Sequence, residues 1–178
     1  MTARYAERAK NALYSYLTDT TTGVAARCVA LNTSMADAYT LPTVWVTEKD
    51  QRSRHLEKST IIVFPKRTTI NRSDNDRRPT QRLYDVEFDV WFGLGMQNTQ
   101  GDPERAQTLV DRLVTVMWEC FTDETTFKAE TLGDATNVND CRLQSAEFRF
   151  GPPNNRGERS AWAQGQGFVT VVENTAKT

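Results

Sequence analysis

An alternating segment followed by a helix-forming segment constrains the fold more than any other part of the chain. In residues 81–92, apolar side chains occupy every second position from Tyr84 onward, and carboxylates lie between them. The apolar positions are Tyr84, Val86, Phe88, Val90 and Phe92, and the acidic positions are Asp85, Glu87 and Asp89. Because successive side chains of a strand leave opposite faces, this pattern predicts a strand with one apolar and one acidic face.

An amphipathic helix is predicted after this strand. Asp102 is suited to the N-cap, and Pro103 to the first helical position, where its missing N–H costs nothing. Apolar residues then recur at helical spacing, and we expect the helix to end near Thr122. The stripe consists of Ala106, Leu109, Val110, Leu113, Val114, Met117 and Phe121.

The remaining elements are predicted from periodicity and turn residues. Residues 3–17 carry an apolar stripe typical of a helix, whereas residues 24–31 fit a short strand or a helical turn equally well. Short strands are expected at 43–47 and 59–64, the second of them stopped by Pro65. Further strands are expected at 127–132, 141–150 and 160–172. In the last, Gly165 and Gly167 indicate a bulge or a close backbone approach.

A polar, basic segment separates two of the predicted strands. Residues 66–82 contain six basic and two acidic side chains, a local charge of +4. We expect a loop or an extended arm here, and a loose tail from about residue 173. The sum of the elements predicts a single α+β domain over residues 1–178, with a mostly antiparallel sheet packed by two helices on one side.

Composition limits the classes of function. The chain has 178 residues, enough for a core without a disulfide or metal. Its net charge of −1 gives no bulk attraction to nucleic acid or to an anionic membrane. Three widely spaced cysteines and a single histidine favour reduced thiols, two of them buried, over a disulfide framework or a zinc site. No segment approaches the about 18 apolar residues of a membrane span, and we expect synthesis in the cytoplasm.

The three carboxylates of the alternating segment are the one chemical constellation to weigh. They fit a solvated strand face, a contact between copies, or a divalent-metal or nuclease site. Neighbouring carboxylates on one strand face lie about 7 Å apart, which is too far for all three to hold one ion. His55, in a charged segment, has no nucleophile beside it, and Gly93-Leu94-Gly95 is better explained as a strand exit than as a phosphate loop.

Several segments in a fixed order carry a resemblance to a known family. They are Ala3–Leu17, Leu41–Val46, Ile61–Pro65, Tyr84–Phe92, Gly101–Ala106 and Leu109–Leu113. In size and element order the chain resembles tail terminator proteins of tailed bacteriophages, over about residues 3–172. Head–tail connector and neck proteins share much of this pattern, so a connector or neck adaptor is the alternative. A small metal-dependent nuclease is a more distant third interpretation.

The resemblance implies a structural virion protein without enzyme activity or cofactor. Such a protein forms a homohexameric ring that caps the tail tube and joins it to the neck or connector. DNA passes through the ring without being specifically bound, and no membrane is involved.

Two hypotheses about interaction sites follow. The first is that Arg77 and Arg78, with Arg82, contact an acidic surface of a neighbouring copy or the tube protein. The second is that Asp85, Glu87 and Asp89 border the ring opening, where their charge repels DNA.

Overall fold

In the part of the chain that the structure describes, three helices and a five-stranded, mostly antiparallel sheet form the fold, which confirms the predicted α+β class. The computed structural model describes residues 2–48, 58–70, 81–95, 102–122, 138–153 and 159–174. The helices are α1 (Thr2–Leu17), α2 (Val24–Met35) and α3 (Pro103–Thr122). The strands are β1 (Val46–Glu48), β2 (Thr60–Ile70), β3 (Gln81–Leu94), β4 (Val138–Pro153) and β5 (Arg159–Asn174). Their order in the sheet is β1-β2-β3-β5-β4, and only β1 and β2 are parallel neighbours.

Strand β3 lies at the centre of the sheet. It pairs with β2 on one side and with β5 along its whole length on the other. The side chains of Val86, Phe88, Val90 and Phe92 are all buried in the main hydrophobic cluster. The alternation read from the sequence is therefore confirmed, and its apolar face is the face that the helices cover.

Helices α1 and α3 pack directly on the sheet, and α2 packs against α3. The Tyr16 hydroxyl of α1 donates a hydrogen bond to the carbonyl of Cys120 in α3, at 2.7 Å. At the start of α3, the carboxylate of Asp102 accepts hydrogen bonds from the N–H groups of Glu104 and Arg105, at 3.0 and 3.1 Å. These bonds satisfy donors that a helix leaves unpaired, which confirms the predicted N-cap.

Small residues in β5 allow α3 to lie close to the sheet. A Cβ atom on Gly165 would lie 2.6 Å from the sulfur of Met117, and one on Gly167 would lie 2.1 Å from the carbonyl oxygen of Arg142. The predicted close approach is confirmed, and the register irregularity nearest to these glycines lies in β4, between Leu143 and Ser145.

Residues 24–31, which fitted a short strand or a helical turn equally well, belong to helix α2. The described part of the chain therefore has one helix more than the two that were predicted. Val24, Cys28 and Leu31 are buried at helical spacing, but exposed Val29 and Met35 obscure the stripe. Before the helix, the Asp19 carboxylate accepts hydrogen bonds from the N–H and hydroxyl groups of both Thr21 and Thr22. These local bonds end α1 and fix the turn into α2.

The predicted polar arm is wrong at its N-terminal end, whereas the strand predicted from residue 81 is confirmed. Strand β2 continues through Pro65 to Ile70, and Gln81 and Arg82 belong to β3. Proline is tolerated because β1 pairs only with Thr60–Ile62, and the β2–β3 register shifts directly after Pro65. The middle of the arm, residues 71–80, lies outside the described residues.

The observed boundaries of other strands differ less from the predicted ones. Strand β1 begins three residues later than expected, at Val46. Strand β5 extends to Asn174, so the tail predicted from residue 173 begins too early. The strand expected at 127–132 lies outside the described residues.

Candidate interaction surface

The face of the sheet opposite the described helices carries most of the predicted site residues, and we call it the far face. Asp85, Glu87 and Asp89 of β3 lie on it, with the alternate residues of β2, β4 and β5 beside them. Asp85 and Glu87 are half-buried, and Asp89 is buried. The three carboxylates therefore form one row, which we call the acidic row.

Each carboxylate of the acidic row contacts a neighbouring strand. The Asp85 carboxylate accepts a hydrogen bond from the Thr170 hydroxyl of β5 at 2.7 Å. Glu87 lies 3.2 Å from the Nε atom of Arg67, and Asp89 lies 2.8 Å from the Nζ atom of Lys66. The Oδ1 atom of Asp89 makes no well-aligned hydrogen bond with a described residue, so its contact with Lys66 is an ion pair.

The cations in these contacts come from the segment predicted to be an arm. Lys66 and Arg67 instead lie in β2 and contact the acidic row of their own chain. Three carboxylates and two cations leave one net negative charge. The side chains of Arg67 and Glu87 are 72% and 43% exposed, and so open a pair contributes about 0–1 kcal/mol. The Arg67–Glu87 pair therefore orders the surface more than it stabilises the fold.

An aromatic cluster occupies one end of the far face. The rings of Trp91 and Trp162 stack with centroids 5.5 Å apart and planes 8° apart, and Phe64 meets Trp91 edge-on at 5.5 Å. Neither indole N–H has a hydrogen-bond partner among the described residues. Sequence reasoning missed this cluster, although Trp91 stands at an acidic-face position of the alternation and signals that this face is not purely polar.

The described residues cover only part of the two predicted groups of site residues. Arg82 lies exposed in β3, opposite Glu173 of β5 in the register. Arg77, Arg78 and His55 lie outside the described residues, so their roles stay predictions. Within the described ranges, no group of three or more His, Cys, Asp or Glu side chains is placed to hold a metal ion.

The two edges of the sheet differ strongly. On the outer edge of β2, the N–H of Val63 donates to the Tyr14 hydroxyl at 3.1 Å, and Pro65 has no N–H to offer. On the outer edge of β4, Glu147, Phe148 and Arg149 are all exposed. The Arg149 guanidinium contacts Glu147 of its own strand, with Nη2 2.5 Å from Oε1.

An ion pair within the helical layer was also missed. The buried guanidinium of Arg112 in α3 donates to both carboxylate oxygens of Asp37 and to the carbonyl of Tyr39. Arg112, followed by the Tyr39 N–H, holds the pKa of Asp37 below its usual range. This contact ties the connection between α2 and β1 to α3. The sequence offers no local signal, since the two charges lie 75 positions apart.

The thiols are in a different state from catalytic cysteines. Cys28, Cys120 and Cys141 are all buried, one more than predicted, and the structure places none of them in a disulfide. Burial raises the pKa of Cys28 and of Cys120 to about 12. Both therefore stay protonated near neutral pH and are poor nucleophiles.

The comparisons with known proteins add no family. The chain matches no protein-family model and no curated protein sequence. Among the described residues, no helix is long and apolar enough to cross a membrane.

Proposed function

We propose that the protein is a structural subunit of a phage virion that assembles into a ring at the end of the tail tube and joins it to the neck. The observation that carries this proposal is the far face, where half-buried aromatic rings lie beside mutually neutralised charges. Aromatic residues and arginine are enriched in protein–protein interfaces, and isolated charges are depleted from interface centres. The element order that resembles tail terminator proteins supplies the particular role.

The acidic row and the arm have separate roles in this proposal. Lys66 and Arg67 offset two carboxylates, so the row retains weak rather than strong negative charge toward passing DNA. Arg77 and Arg78 are then among the cations of residues 66–82 that are left to contact a neighbour or the tube protein. Closed rings arise from contacts between two different patches, and an arm meeting another surface is such a contact.

Native mass spectrometry tests the ring, and co-sedimentation with purified tail tubes tests the partner. We expect a hexamer that binds tube ends. The variant Arg77→Glu with Arg78→Glu should lose the ring or tube binding. The matched control, Lys128→Glu with Lys177→Glu, makes the same change in net charge outside the arm and should retain both.

Two other results would redirect the proposal. A twelve-membered ring that binds portal rather than tube ends would favour the connector alternative. Metal-dependent cleavage of DNA by a monomer or dimer would favour the nuclease and contradict a purely structural role. In that case Asp89→Asn should abolish cleavage.

A further inference from the structure

We propose that the β4 edge at residues 145–150 pairs with the same segment of a second copy, antiparallel and about a two-fold axis at Phe148. This contact is self-complementary, so it is distinct from the head-to-tail contacts of a ring and goes beyond the proposed function. It links copies two by two.

The first argument is a comparison of the two sheet edges. Native proteins block free strand edges with proline, bulges and charged side chains. The part of the β2 edge that β1 does not cover has all three devices. They are Pro65, the register shift after it, and the charged side chains of Lys66 and Arg67. In addition, its Val63 N–H is occupied by the Tyr14 hydroxyl. An incoming strand has little to bond there.

Nothing in the part of the chain that the structure describes blocks the β4 edge over six residues. Register shifts lie on either side of this stretch, between Leu143 and Ser145 and between Phe150 and Pro153. Between them the pairing with β5 is continuous, from Ser145 opposite Gln166 to Phe150 opposite Ala161. Among the described residues, no strand pairs with the other side of this stretch. As far as the described residues extend, its outward backbone groups are therefore regular and open to a further strand.

The second argument is charge complementarity in one particular register. When Phe148 lies opposite Phe148 of the second copy, Glu147 lies opposite Arg149, and the reverse pair forms on the other side of the axis. In the single chain these two residues already form an ion pair and are both about half exposed. The contact converts one pair within a strand into a square of alternating charges, and opposite charges across strands are favourable.

The third argument is the exposure of Phe148. Its side chain is 50% exposed, one of few large apolar side chains to be so among the described residues. It lies on the helix-facing side with Ala146 and Phe150, which pack on the core, and it meets the Phe150 ring at 6.0 Å. In the proposed register the two Phe148 side chains are direct neighbours and cover each other.

Cross-linking tests the register. Residues opposite each other in antiparallel strands have Cα atoms about 4.5–5.5 Å apart, within the range of a disulfide. Phe148→Cys should therefore form a covalent dimer under mild oxidation. The native thiols are buried and give little background. The control is Gln144→Cys. In this register residue 144 lies opposite residue 152 of the second copy, so the two introduced thiols are separated by about 26 Å along the strand. This variant should stay uncross-linked.

Charge reversal tests the complementarity in solution. Glu147→Arg places arginine against arginine twice, and we expect the dimer dissociation constant measured by sedimentation equilibrium to rise at least about tenfold. Arg149→Glu should act in the same direction. The double variant Glu147→Arg with Arg149→Glu restores opposite pairs and should restore the dimer. Thermal unfolding of the exposed-site variants checks that each remains folded.

Failure of this proposal is separable from failure of the proposed function. A wild-type protein that is monomeric at all concentrations would overturn the two-fold contact. So would a hexamer insensitive to every β4 variant, although that result leaves the ring and its role intact. A dimer that responds as described but never forms a larger ring supports the contact and contradicts the terminator role.

Discussion

The two faces of β3 differ in their physical roles. On the helix-facing side, Phe88 and Phe92 are fully enclosed and stability comes from apolar burial. On the far face, Asp85 and Glu87 are only half-buried, and the ion pair between Glu87 and Arg67 of β2 is worth little because both side chains are exposed to solvent. The difference teaches that substitutions on the first face should affect folding, and those on the second should affect contacts.

The largest expected effect separates the two faces directly. Phe88→Ala removes a ring that stacks on Phe121 at 5.7 Å, and we expect a loss of about 3–5 kcal/mol in the free energy of unfolding. Urea denaturation measures it. Glu87→Ala, one residue away on the other face, is the control and should cost less than about 1 kcal/mol. Equal losses would remove the distinction between the faces.

A second test adds volume rather than removing it. In Gly165→Ala, the new methyl group would lie 2.6 Å from the sulfur of Met117 and 2.8 Å from a methyl carbon of Leu143, so these side chains or the elements that carry them must shift. Overpacking of this kind typically costs about 1–3 kcal/mol. Gln164→Ala, at the neighbouring far-face position, is the control for urea denaturation. A stabilised Gly165→Ala protein would show that α3 lies less closely on β5 than described.

The Asp37–Arg112 pair tests whether an ion pair in the helical layer differs from those on the far face. Because the pKa of Asp37 is lowered in the folded protein, the ionised Asp37 carboxylate contributes fully to the free energy of unfolding above the ordinary pKa of 3.8. It is lost as pH falls through the lowered value. The deficit of Asp37→Asn in urea midpoint should therefore be constant at about pH 5–7 and shrink below about pH 4. A deficit that grows on acidification would contradict this sign.

The smallest effect is expected for the Arg67–Glu87 pair. A double-mutant cycle with Arg67→Ala and Glu87→Ala should give a coupling of about 0.2–1 kcal/mol. The coupling should weaken in 1 M salt, where the Debye length is about 3 Å. A coupling above about 2 kcal/mol, or one unaffected by salt, would mean that the far face contributes to folding as the other face does.

Regular periodicity made part of this fold predictable. The stripe of α3, the cap at Asp102 and the alternation of β3 are local patterns, and each was found close to its observed position. Helix α2 was missed because exposed Val29 and Met35 blur its stripe. The length of β2 was missed because the penalty for Pro65 depends on whether another strand lies outside it.

The candidate site was less predictable than the fold because it depends on which strands become neighbours. The acidic row was visible in the sequence, but its pairing with Lys66 and Arg67 follows from the β2–β3 register. The stacking of Trp91 on Trp162 likewise joins residues 71 positions apart. No spacing rule relates such residues until the strand order is known.

The hydrogen bonds of α1 also set an order of events during synthesis. The Tyr14 hydroxyl meets the N–H of Val63, 49 positions later, whereas the Tyr16 hydroxyl meets the carbonyl of Cys120, 104 positions later. At about 5–20 residues per second, the second partner is made on the order of 5–20 s after Tyr16. On the ribosome, the partner of the Tyr14 hydroxyl is therefore synthesised well before the partner of the Tyr16 hydroxyl.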